Sequence, residues 1–325
     1  MLTAITVATS GSAPRNIPSC RSCNGGNAVW RGSKFGKHMR RSFDYWHCPE
    51  CDYLFVDPFP GYEIYDEAYY QGRSADPYVD YEAEFLDYRK TVRMLEFDDL
   101  WGLAAGYIEK AVPPGPIKWL DFGSGPGGFL RYVADIGPLS SAGREWAIDV
   151  ASHDIGYYAE RLRGQGRFRV LGLEALSSEP DASYDVISMI EVIEHLEFPS
   201  PVIALASRLL KPGGLLLLTT GNMASPVARL LGIHYAYCVP EIHVGLFTPR
   251  SLADIYGRHG LDPVVFRYRG ALRFKVVKSL RSPVLKAIAG WALRLPFAVR
   301  IVDALFGNSR MPSAVRRRQD CTISG

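Results

Sequence analysis

The chain has 325 residues, of which 47% are hydrophobic and 22% are charged, a balance typical of soluble globular proteins. Its length allows one large domain with an accessory module. It contains no run of 18 uncharged apolar residues, so we expect no membrane-spanning helix. Residues 1–16 lack the basic and apolar regions of a signal peptide, so we expect a flexible tail and a cytoplasmic location.

Charge is distributed unevenly along the chain. Residues 271–325 contain 11 Lys+Arg and 2 Asp+Glu, a net charge of +9. Because the whole chain carries +3, the remaining residues carry −6. An acidic body argues against general nucleic-acid binding, and the basic end therefore needs a separate explanation.

The first predicted element, residues 17–58, contains two C-x2-C pairs. Cys20 and Cys23 lie in "CRSC", Cys48 and Cys51 lie in "CPEC", and 24 residues separate the pairs. Each pair can present two thiolates to one side, so the two together predict a tetrahedral zinc site in a zinc ribbon. The alternatives are two disulfides or free thiols, which a cytosolic chain disfavours. With four protein ligands the zinc is expected to be structural, without a catalytic role.

Two further regions follow the ribbon. Residues 59–115 predict a connector rich in Pro, Gly and Tyr, followed by a helical cap that ends before "PPGP". Between 116 and 279 short apolar strands alternate with helical segments, which predicts a parallel sheet covered by helices on both faces. "LDPVVFRYRG" and "ALRFKVVKSL" predict an antiparallel strand pair at its end. The ligand crevice of such a sheet lies at the carboxyl ends of the strands.

A glycine-rich loop follows the first of these strands. "DFGSGPGG" places Gly123, Gly125 and Gly128 in G-x-G-x-x-G spacing, and Asp149 ends the next strand, where it can accept from two ribose hydroxyls. This spacing fits either a dinucleotide or S-adenosylmethionine. Asp121 favours S-adenosylmethionine, because a carboxylate would repel a pyrophosphate but attract an ammonium and a sulfonium group.

Five blocks in order resemble class I S-adenosylmethionine-dependent methyltransferases, and more narrowly the bacterial group with an N-terminal zinc ribbon. They are "WLDFGSGPGGFL", "AIDV", "YDVISMIEVIEHL", "LLKPGGLLLLTTGN" and "HVGLFTPRSLADIYGRHGL". The resemblance implies an α/β fold, namely a Rossmann-like seven-stranded methyltransferase sheet whose last strand is antiparallel. The ribbon-bearing sugar C-methyltransferases usually have an acidic-Asn-Asp-Gly loop, which is absent here and disfavours deoxysugar C-methylation.

The same resemblance implies a cofactor site for S-adenosylmethionine. The methionine end would be held by the first loop, the ribose by Asp149, and the adenine by residues after the third strand. The implied cofactor-binding residues are Asp121, Gly123, Ser124, Gly125, Asp149, Leu173, Glu174 and Ile190.

Two carboxylates and an imidazole follow the fourth strand. Glu191, Glu194 and His195 have i, i+3 and i+4 spacing, so a helical turn would bring them to one side. Such groups suit Mg²⁺, Mn²⁺ or Zn²⁺, with His243 as a fourth ligand. The pattern resembles metal-using O-methyltransferases of the ubiquinone pathway and of small-RNA 3′ ends, which implies a metal that lowers the pKa of the acceptor hydroxyl. Pocket lining without a metal, and a histidine acting as general base, remain alternatives.

The predicted function is methyl transfer from S-adenosylmethionine to a hydroxyl of a small molecule or glycan intermediate. One alternative is a metal-dependent RNA 2′-O-methyltransferase, which the acidic body disfavours. The other is a non-catalytic cofactor-binding adaptor, which the intact glycine loop and "EVIEHL" turn disfavour.

The last predicted region, residues 280–325, is a basic amphipathic helical extension. "RSPVLKAIAGWALRLPFAVRIVDALFG" is apolar with a cation every five to eight residues, and Pro296 predicts two short helices rather than one. One interpretation is peripheral contact with an anionic membrane, close to a lipid-linked acceptor. The other is packing on the catalytic domain or on a second subunit, and both remain open.

Overall fold

The computed structural model describes residues 16–74, 81–91, 93–140, 145–151, 157–265 and 311–317, with the single positions 284, 288 and 291. These residues form one sheet of four strands and one of seven. The predicted tail, except residue 16, and most of the predicted basic extension lie outside the described residues.

The small sheet contains the predicted ribbon. Its strands β1 (Val29–Gly36), β2 (Arg41–Cys48) and β3 (Tyr53–Asp57) pair antiparallel in chain order. A fourth strand, β9 (Gly245–Leu246), comes from far along the chain and pairs with β3. The ribbon is therefore joined by main-chain hydrogen bonds to a later part of the chain.

The helical cap lies between the ribbon and the large sheet. It consists of α1 (Glu67–Tyr70), α2 (Tyr81–Asp87), a 3₁₀ helix (Tyr88–Lys90) and α3 (Met94–Ala111). In α3 the apolar residues Phe97, Leu100, Ala104 and Ile108 recur every three or four positions, and all are at most 3% exposed. They pack with Trp119 of the large sheet, so α3 forms part of its core.

The large sheet confirms the predicted α/β class. Its strands are β4 (Ile117–Phe122), β5 (Trp146–Ala151), β6 (Arg169–Leu171), β7 (Tyr184–Ile190), β8 (Leu210–Thr219), β10 (Leu261–Val265) and β11 (Pro312–Arg316). The helices along it are α4 (Gly128–Ser140), α5 (Tyr157–Gly164), α6 (Leu173–Ser177), α7 (Pro199–Leu209), α8 (Pro226–Leu231) and α9 (Pro249–Arg258). The strand order is β10-β11-β8-β7-β4-β5-β6, and β11 is antiparallel to both of its neighbours. All other strands run in the same direction, so their carboxyl ends meet at one edge.

The strand beside β10 among the described residues is β11, which was not predicted. It spans residues 312–316, and Val265 lies opposite Pro312. The predicted partner "ALRFKVVKSL", at 271–280, lies outside the described residues. Ser313 and Ala314 are 3% and 0% exposed, so these small residues fill the space between β8 and β10. The predicted boundary at 279/280 is therefore not the end of the sheet.

We call residues 266–310 the basic insert. It leaves the sheet after β10 and re-enters it at β11, so both of its ends lie at the edge formed by the carboxyl ends of the parallel strands. Among the residues that the structure describes, no helix is both long enough and apolar enough to cross a membrane.

Candidate active site

The four cysteines of the ribbon converge as predicted. The Sγ atoms of Cys20 and Cys51 are 3.7 Å apart, and those of Cys23 and Cys48 are 3.6 Å apart. All four sulfurs lie within 4.8 Å of one another. A tetrahedral zinc with bonds of about 2.3 Å needs sulfurs about 3.8 Å apart, so the cluster fits that ion. The hydrogen bond between Cys20 and Cys51 lowers the pKa of Cys20 and raises that of Cys51, so one thiol of the pair is the first to ionise and a bound cation would be needed to ionise both.

The glycine-rich loop between β4 and α4 requires its glycines. Gly123, Gly125 and Gly127 have φ of 72°, 51° and 72°, a left-handed conformation that costs other residues energy. A Cβ on Gly123 would lie 2.8 Å from Val192, and one on Gly127 would lie 2.8 Å from Leu162. The third turning glycine is therefore Gly127, one position before the predicted pattern.

A cavity of about 310 Å³ opens beside this loop. It is bounded on one side by predicted cofactor and catalytic residues, namely Asp121, Gly123, Ser124, Gly125, Ile190, Glu191 and His195. On the other side it is bounded by five tyrosines of the connector and cap, namely Tyr62, Tyr65, Tyr69, Tyr70 and Tyr81. The Ser124 hydroxyl is buried without a hydrogen-bond partner among the described residues, as expected of a group that binds a ligand.

Asp121 is held in the cavity wall by a chain of hydrogen bonds. The Trp119 indole donates to Ser188 Oγ at 2.8 Å, and Ser188 Oγ donates to Asp121 Oδ1 at 2.5 Å. Burial raises the pKa of Asp121 to about 7, although the Ser188 hydrogen bond and the Arg93 charge act in the opposite direction. A cationic ligand would stabilise this carboxylate, as S-adenosylmethionine would with its ammonium and sulfonium groups.

Two charged residues that line the cavity, Glu84 and Arg93, were not predicted from the sequence. Arg93 Nη1 lies 3.1 Å from Glu84 Oε2, and its Nε lies 3.5 Å from Glu96 Oε2. Arg93 is the only Arg or Lys among the described lining residues, so it is the candidate partner for the cofactor carboxylate. Arg89 and Lys90 precede it, and nothing in the local sequence shows which of these cations faces inward.

Asp149, Leu173 and Glu174 are not among the described residues that line the cavity. Asp149 is 5% exposed, and its Oδ2 accepts hydrogen bonds from Tyr184 Oη at 2.8 Å and from Arg169 Nη2 at 2.5 Å. Residues 152–156, which follow β5, lie outside the described residues. The ribose and adenine contacts therefore remain predictions.

The two carboxylates and the imidazole occupy a tighter turn than predicted. The turn is a 3₁₀ helix (Ile193–His195), and Glu191 before it has a φ of 55°, a strained value for a residue with a side chain. One ligand atom each from Glu194, His195 and His243 lies within 4.8 Å of the others. Glu191 joins them indirectly, because Tyr237 Oη lies 3.2 Å from Glu191 Oε2 and 2.5 Å from Glu194 Oε1.

Hydrogen bonds orient both histidines through Nδ1. His243 Nδ1 lies 2.6 Å from the Tyr237 carbonyl oxygen, which only accepts, so this Nδ1 carries the proton and Nε2 carries the lone pair. His195 Nδ1 lies 2.9 Å from the Ile242 carbonyl oxygen and 2.8 Å from Tyr65 Oη, which itself donates to the same carbonyl at 3.2 Å. A proton on His195 Nδ1 satisfies all three groups and leaves the lone pair on Nε2. Burial, and then the neighbouring His243, lowers the pKa of His195 to about 3, so its imidazole is neutral, the form that binds metals.

The chemistry of this group fits a divalent cation. Glu194 is 0% exposed, and its Oε2 has no hydrogen-bond partner of standard geometry among the described residues. Burial, then the neighbouring charge of Glu191, raises the pKa of Glu194 well above its ordinary value. A positive ion beside Glu194, His195 and His243 would compensate this buried carboxylate.

Comparison with known proteins identifies the class. The family model described as "Methyltransferase domain" matches residues 97–265, more than half of the chain. The chain therefore belongs to this family, and its class is that of the class I S-adenosylmethionine-dependent methyltransferases.

Curated relatives are similar over part of their length. The ubiquinone biosynthesis O-methyltransferase of Xylella fastidiosa is 32% identical over 136 residues, 40% of this chain and 52% of that protein. The enzyme of the same name from Methylococcus capsulatus is 34% identical over 120 residues, 36% of this chain and 48% of that protein. The chain thus spans about half the length of the curated relatives it matches.

Solved structures are similar at low sequence identity. An S-adenosylmethionine-dependent methyltransferase from Aquifex aeolicus has a TM-score of 0.41 at 17% identity, covering 58% of this chain and 93% of that one. Phosphoethanolamine N-methyltransferase 2 of Haemonchus contortus, in complex with S-adenosyl-L-methionine, has a TM-score of 0.43 at 16% identity, covering 82% and 63%.

Proposed function

We propose that the protein transfers the methyl group of S-adenosylmethionine to a hydroxyl of a small molecule or glycan intermediate. The supporting observation is that Asp121 and Ser124, which are proposed to hold the cofactor, line the same cavity as His195. His195 lies in contact with His243, at 5.0 Å between ring centroids. A methyl donor and an acceptor hydroxyl bound in this cavity would meet beside both imidazoles.

Methyl transfer to a hydroxyl needs alignment and the removal of one proton. The acceptor oxygen attacks the methyl carbon in line with the breaking carbon–sulfur bond, and S-adenosylhomocysteine departs. With a divalent cation held by Glu194, His195 and His243, the histidine lone pairs would bind the ion, which would lower the pKa of the acceptor hydroxyl so that its proton passes to solvent. Without a cation, Nε2 of His195 or of His243 would accept that proton.

The acceptor side of the cavity favours a small, partly apolar molecule. Tyr65 and Tyr69 meet edge to face at 4.9 Å between ring centroids, and Tyr69 stacks on Tyr81 at 5.8 Å. Such a wall suits an aromatic or apolar group that bears a hydroxyl. A nucleic-acid strand would need several cations, whereas Arg93 is the only Arg or Lys among the described lining residues.

We also propose that the basic insert contacts an anionic membrane. Val284, Ile288 and Trp291 are each helical, are 66%, 56% and 66% exposed, and have the i, i+4 and i+7 spacing of one face of an amphipathic helix. Residues 266–310 contain ten Lys+Arg and one Asp, a net charge of +9. An exposed apolar face on a basic segment is typical of binding to anionic lipid.

The activity is tested with S-adenosylmethionine carrying a radiolabelled methyl group and with fractionated cell extract. We expect label in the small-molecule or lipid fraction, and none with a His195→Ala variant. Label in RNA would instead support the 2′-O-methyltransferase. An absence of label in every fraction, despite measured cofactor binding, would support the non-catalytic adaptor.

The proposed metal is tested separately from activity. Cobalt(II) added to the zinc-loaded protein should give a visible absorption band from nitrogen and oxygen ligands, and Glu194→Gln should weaken it. Equal binding of cobalt by wild type and variant would leave the group as pocket lining only. His234→Ala, at an exposed histidine, is the control.

A further inference from the structure

The segment that carries two residues of the candidate site is attached to the zinc ribbon. We call residues 235–248 the acceptor loop; it includes Tyr237 and His243. Its strand β9 pairs with β3 of the ribbon, two residues after His243. In addition, the Val56 amide donates to the Val244 carbonyl at 2.9 Å. The backbone next to His243 is therefore hydrogen-bonded to a ribbon strand.

Side chains of both parts fasten the same loop at three more points. Lys34 Nζ donates to the Cys238 carbonyl at 2.6 Å. The Met39 amide donates to Glu241 Oε1 at 2.6 Å, and Glu241 is 3% exposed. At the end of the loop, Thr248 Oγ1 donates to Asp52 Oδ2 at 2.8 Å. These contacts span the loop from beside Tyr237 to the start of α9.

The ribbon and the loop share one hydrophobic cluster. Its buried members are Phe43, Tyr45 and Val56 of the ribbon, and Cys238, Val244 and Leu246 of the loop. All six are at most 3% exposed. The buried apolar side chains of the loop are therefore stabilised by the ribbon, and unfolding the ribbon would expose them to water.

The other side of the loop contacts the candidate site directly. Tyr237 Oη donates to Glu194 at 2.5 Å, and the Ile242 carbonyl accepts from His195 Nδ1 at 2.9 Å. The cofactor residues Asp121 and Ser124, in contrast, lie on β4 and the loop after it. A displacement of the acceptor loop would thus move the side chains of His195, His243 and Glu194 relative to one another, while Asp121 and Ser124 would keep their positions.

We propose that the zinc ribbon is a positioning element of the methyl-transfer site. It holds the acceptor loop so that Tyr237 and His243 reach Glu194 and His195. Turnover then depends on the ribbon, whereas cofactor binding does not. This revises the expectation that the zinc has no influence on catalysis, and its kinetic part rests on the proposed function.

The test removes one fastening point and leaves the four cysteines intact. In Lys34→Met the ammonium donor to the Cys238 carbonyl is lost, Lys34→Arg restores a cation, and Lys37→Met alters an exposed lysine of the same hairpin. Three measurements are made on each protein: zinc content, S-adenosylhomocysteine affinity by calorimetry, and the imidazole tautomers by ¹⁵N NMR. With seven histidines in the chain, the His243 signal can be assigned from a His243→Gln variant.

We expect Lys34→Met to keep its zinc and its cofactor affinity but to lose the single His243 tautomer. Its kcat should fall at least tenfold with a smaller change in KM, and Lys34→Arg should recover both properties. Lys37→Met should behave as wild type. If Lys34→Met loses zinc, Glu241→Ala serves instead, because it removes the acceptor of the Met39 amide.

An unchanged His243 tautomer together with an unchanged kcat in both Lys34→Met and Glu241→Ala would overturn the proposal. The tautomer measurement does not need turnover. If no substrate is ever methylated but the tautomer is lost in Lys34→Met, the proposed function fails while the positioning role stands.

Discussion

Two buried carboxylates, Asp121 and Glu84, line the candidate cavity, and a third, Glu194, lies next to its lining residue His195. Burial raises the pKa of Asp121, Glu194 and Glu84 above their ordinary values. Asp121 has a hydrogen bond from Ser188, Glu194 has one from Tyr237, and Glu84 has an ion pair with Arg93. Buried negative charge is costly unless it is compensated. The cavity is therefore preorganised for positively charged ligands.

The raised pKa of Asp121, about 7, predicts pH-dependent binding of S-adenosylmethionine. The cations of the ligand favour the ionised carboxylate, so the pKa of Asp121 should be lower in the complex than in the free protein. Affinity is then fully present above pH 7 and is lost as the pH falls through 7, by up to about tenfold per unit.

Calorimetry across this pH range measures the dependence. Asp121→Asn should bind more weakly and with little change in affinity across the same range. Asp181→Asn, at an exposed carboxylate, should keep the wild-type profile. A flat profile for the wild type would contradict the role given to Asp121.

His195 is predicted to act in turnover and not in cofactor binding. His195→Ala removes the Nε2 lone pair beside the cavity, and loss of a positioned acid–base group typically costs about 10²–10⁴-fold in rate. The affinity for S-adenosylhomocysteine should stay within about twofold, since the proposed cofactor contacts lie on the glycine loop. An equal loss of turnover in His234→Ala, at an exposed position, would show that the effect is not specific.

At the scale of residues, the sequence identifies site residues whose position depends on the local chain. It does not identify site residues that reach the cavity through tertiary packing. Asp121 and Ser124 could be proposed because they lie at the end of a buried strand and just after it, where the carboxyl edge forms the crevice. Arg93 and Tyr65 reach the cavity only because the connector and cap pack over that edge. The position of Asp149 in its strand predicts a ribose contact, but its carboxylate accepts hydrogen bonds from Arg169 and Tyr184.

At the scale of elements, the ribbon shows what cysteine spacing can and cannot reveal. Two C-x2-C pairs bring four sulfurs together wherever the hairpins pack, so the metal site could be predicted without its surroundings. The strand β9 has two residues, Gly245–Leu246, and so short a segment has no recognisable alternation. The connection between the ribbon and His243 is therefore visible only in the folded chain.

The ribbon is predicted to hold one zinc ion per chain through its thiolates. A mercurial that blocks thiolates should release that zinc, and the Cys48→Ser/Cys51→Ser double variant should lack it, because two ligands are removed. Proteolysis of the variant should cut the first 60 or so residues and also the acceptor loop. Cys321→Ser is the control, and less than half an equivalent of zinc in the wild type would contradict the prediction.

There is a physical reason why β11 could not be predicted from the sequence. "PSAVR" is short and starts with proline, whereas "ALRFKVVKSL" has the β-branched and alternating character that predicts a strand. The space between β8 and β10 nevertheless takes the small side chains of Ser313 and Ala314, and Ser313 Oγ lies 3.1 Å from the Leu218 amide. Fit to two neighbouring strands decides the pairing, and that information is not local.

At the scale of the whole molecule, charge and topology together favour one orientation of the protein at an anionic membrane. The basic insert carries +9, and because the chain carries +3, the rest carries −6. Both ends of the insert lie at the carboxyl edge of the sheet, where the cavity also opens. A membrane that attracts the insert would thus face the cavity edge, while the acidic remainder would be repelled from anionic lipid. This arrangement suits an acceptor that is itself anchored in lipid.

The structure also determines how this membrane contact should be tested. Deleting residues 280–325 would remove β11, whose Ala314 is 0% exposed in the sheet core, and would damage the fold for unrelated reasons. Because Val265 lies opposite Pro312, the insert alone can be replaced by a hairpin loop of about four residues. A second variant replaces Val284, Ile288 and Trp291 by Ser and keeps every charge.

We expect the wild type to float with phosphatidylglycerol vesicles but not with phosphatidylcholine vesicles, and high salt should weaken this binding. The excised variant should not float, yet it should keep its melting temperature and its affinity for S-adenosylhomocysteine. The triple Ser variant should bind more weakly, since it loses exposed apolar side chains while its charge is unchanged.

If the wild type does not bind and excision lowers the melting temperature, the insert instead packs on the catalytic domain. If the wild type does not bind and the melting temperature is unchanged, the membrane proposal is equally wrong, and the oligomeric state of the excised variant then shows whether the insert joins two subunits.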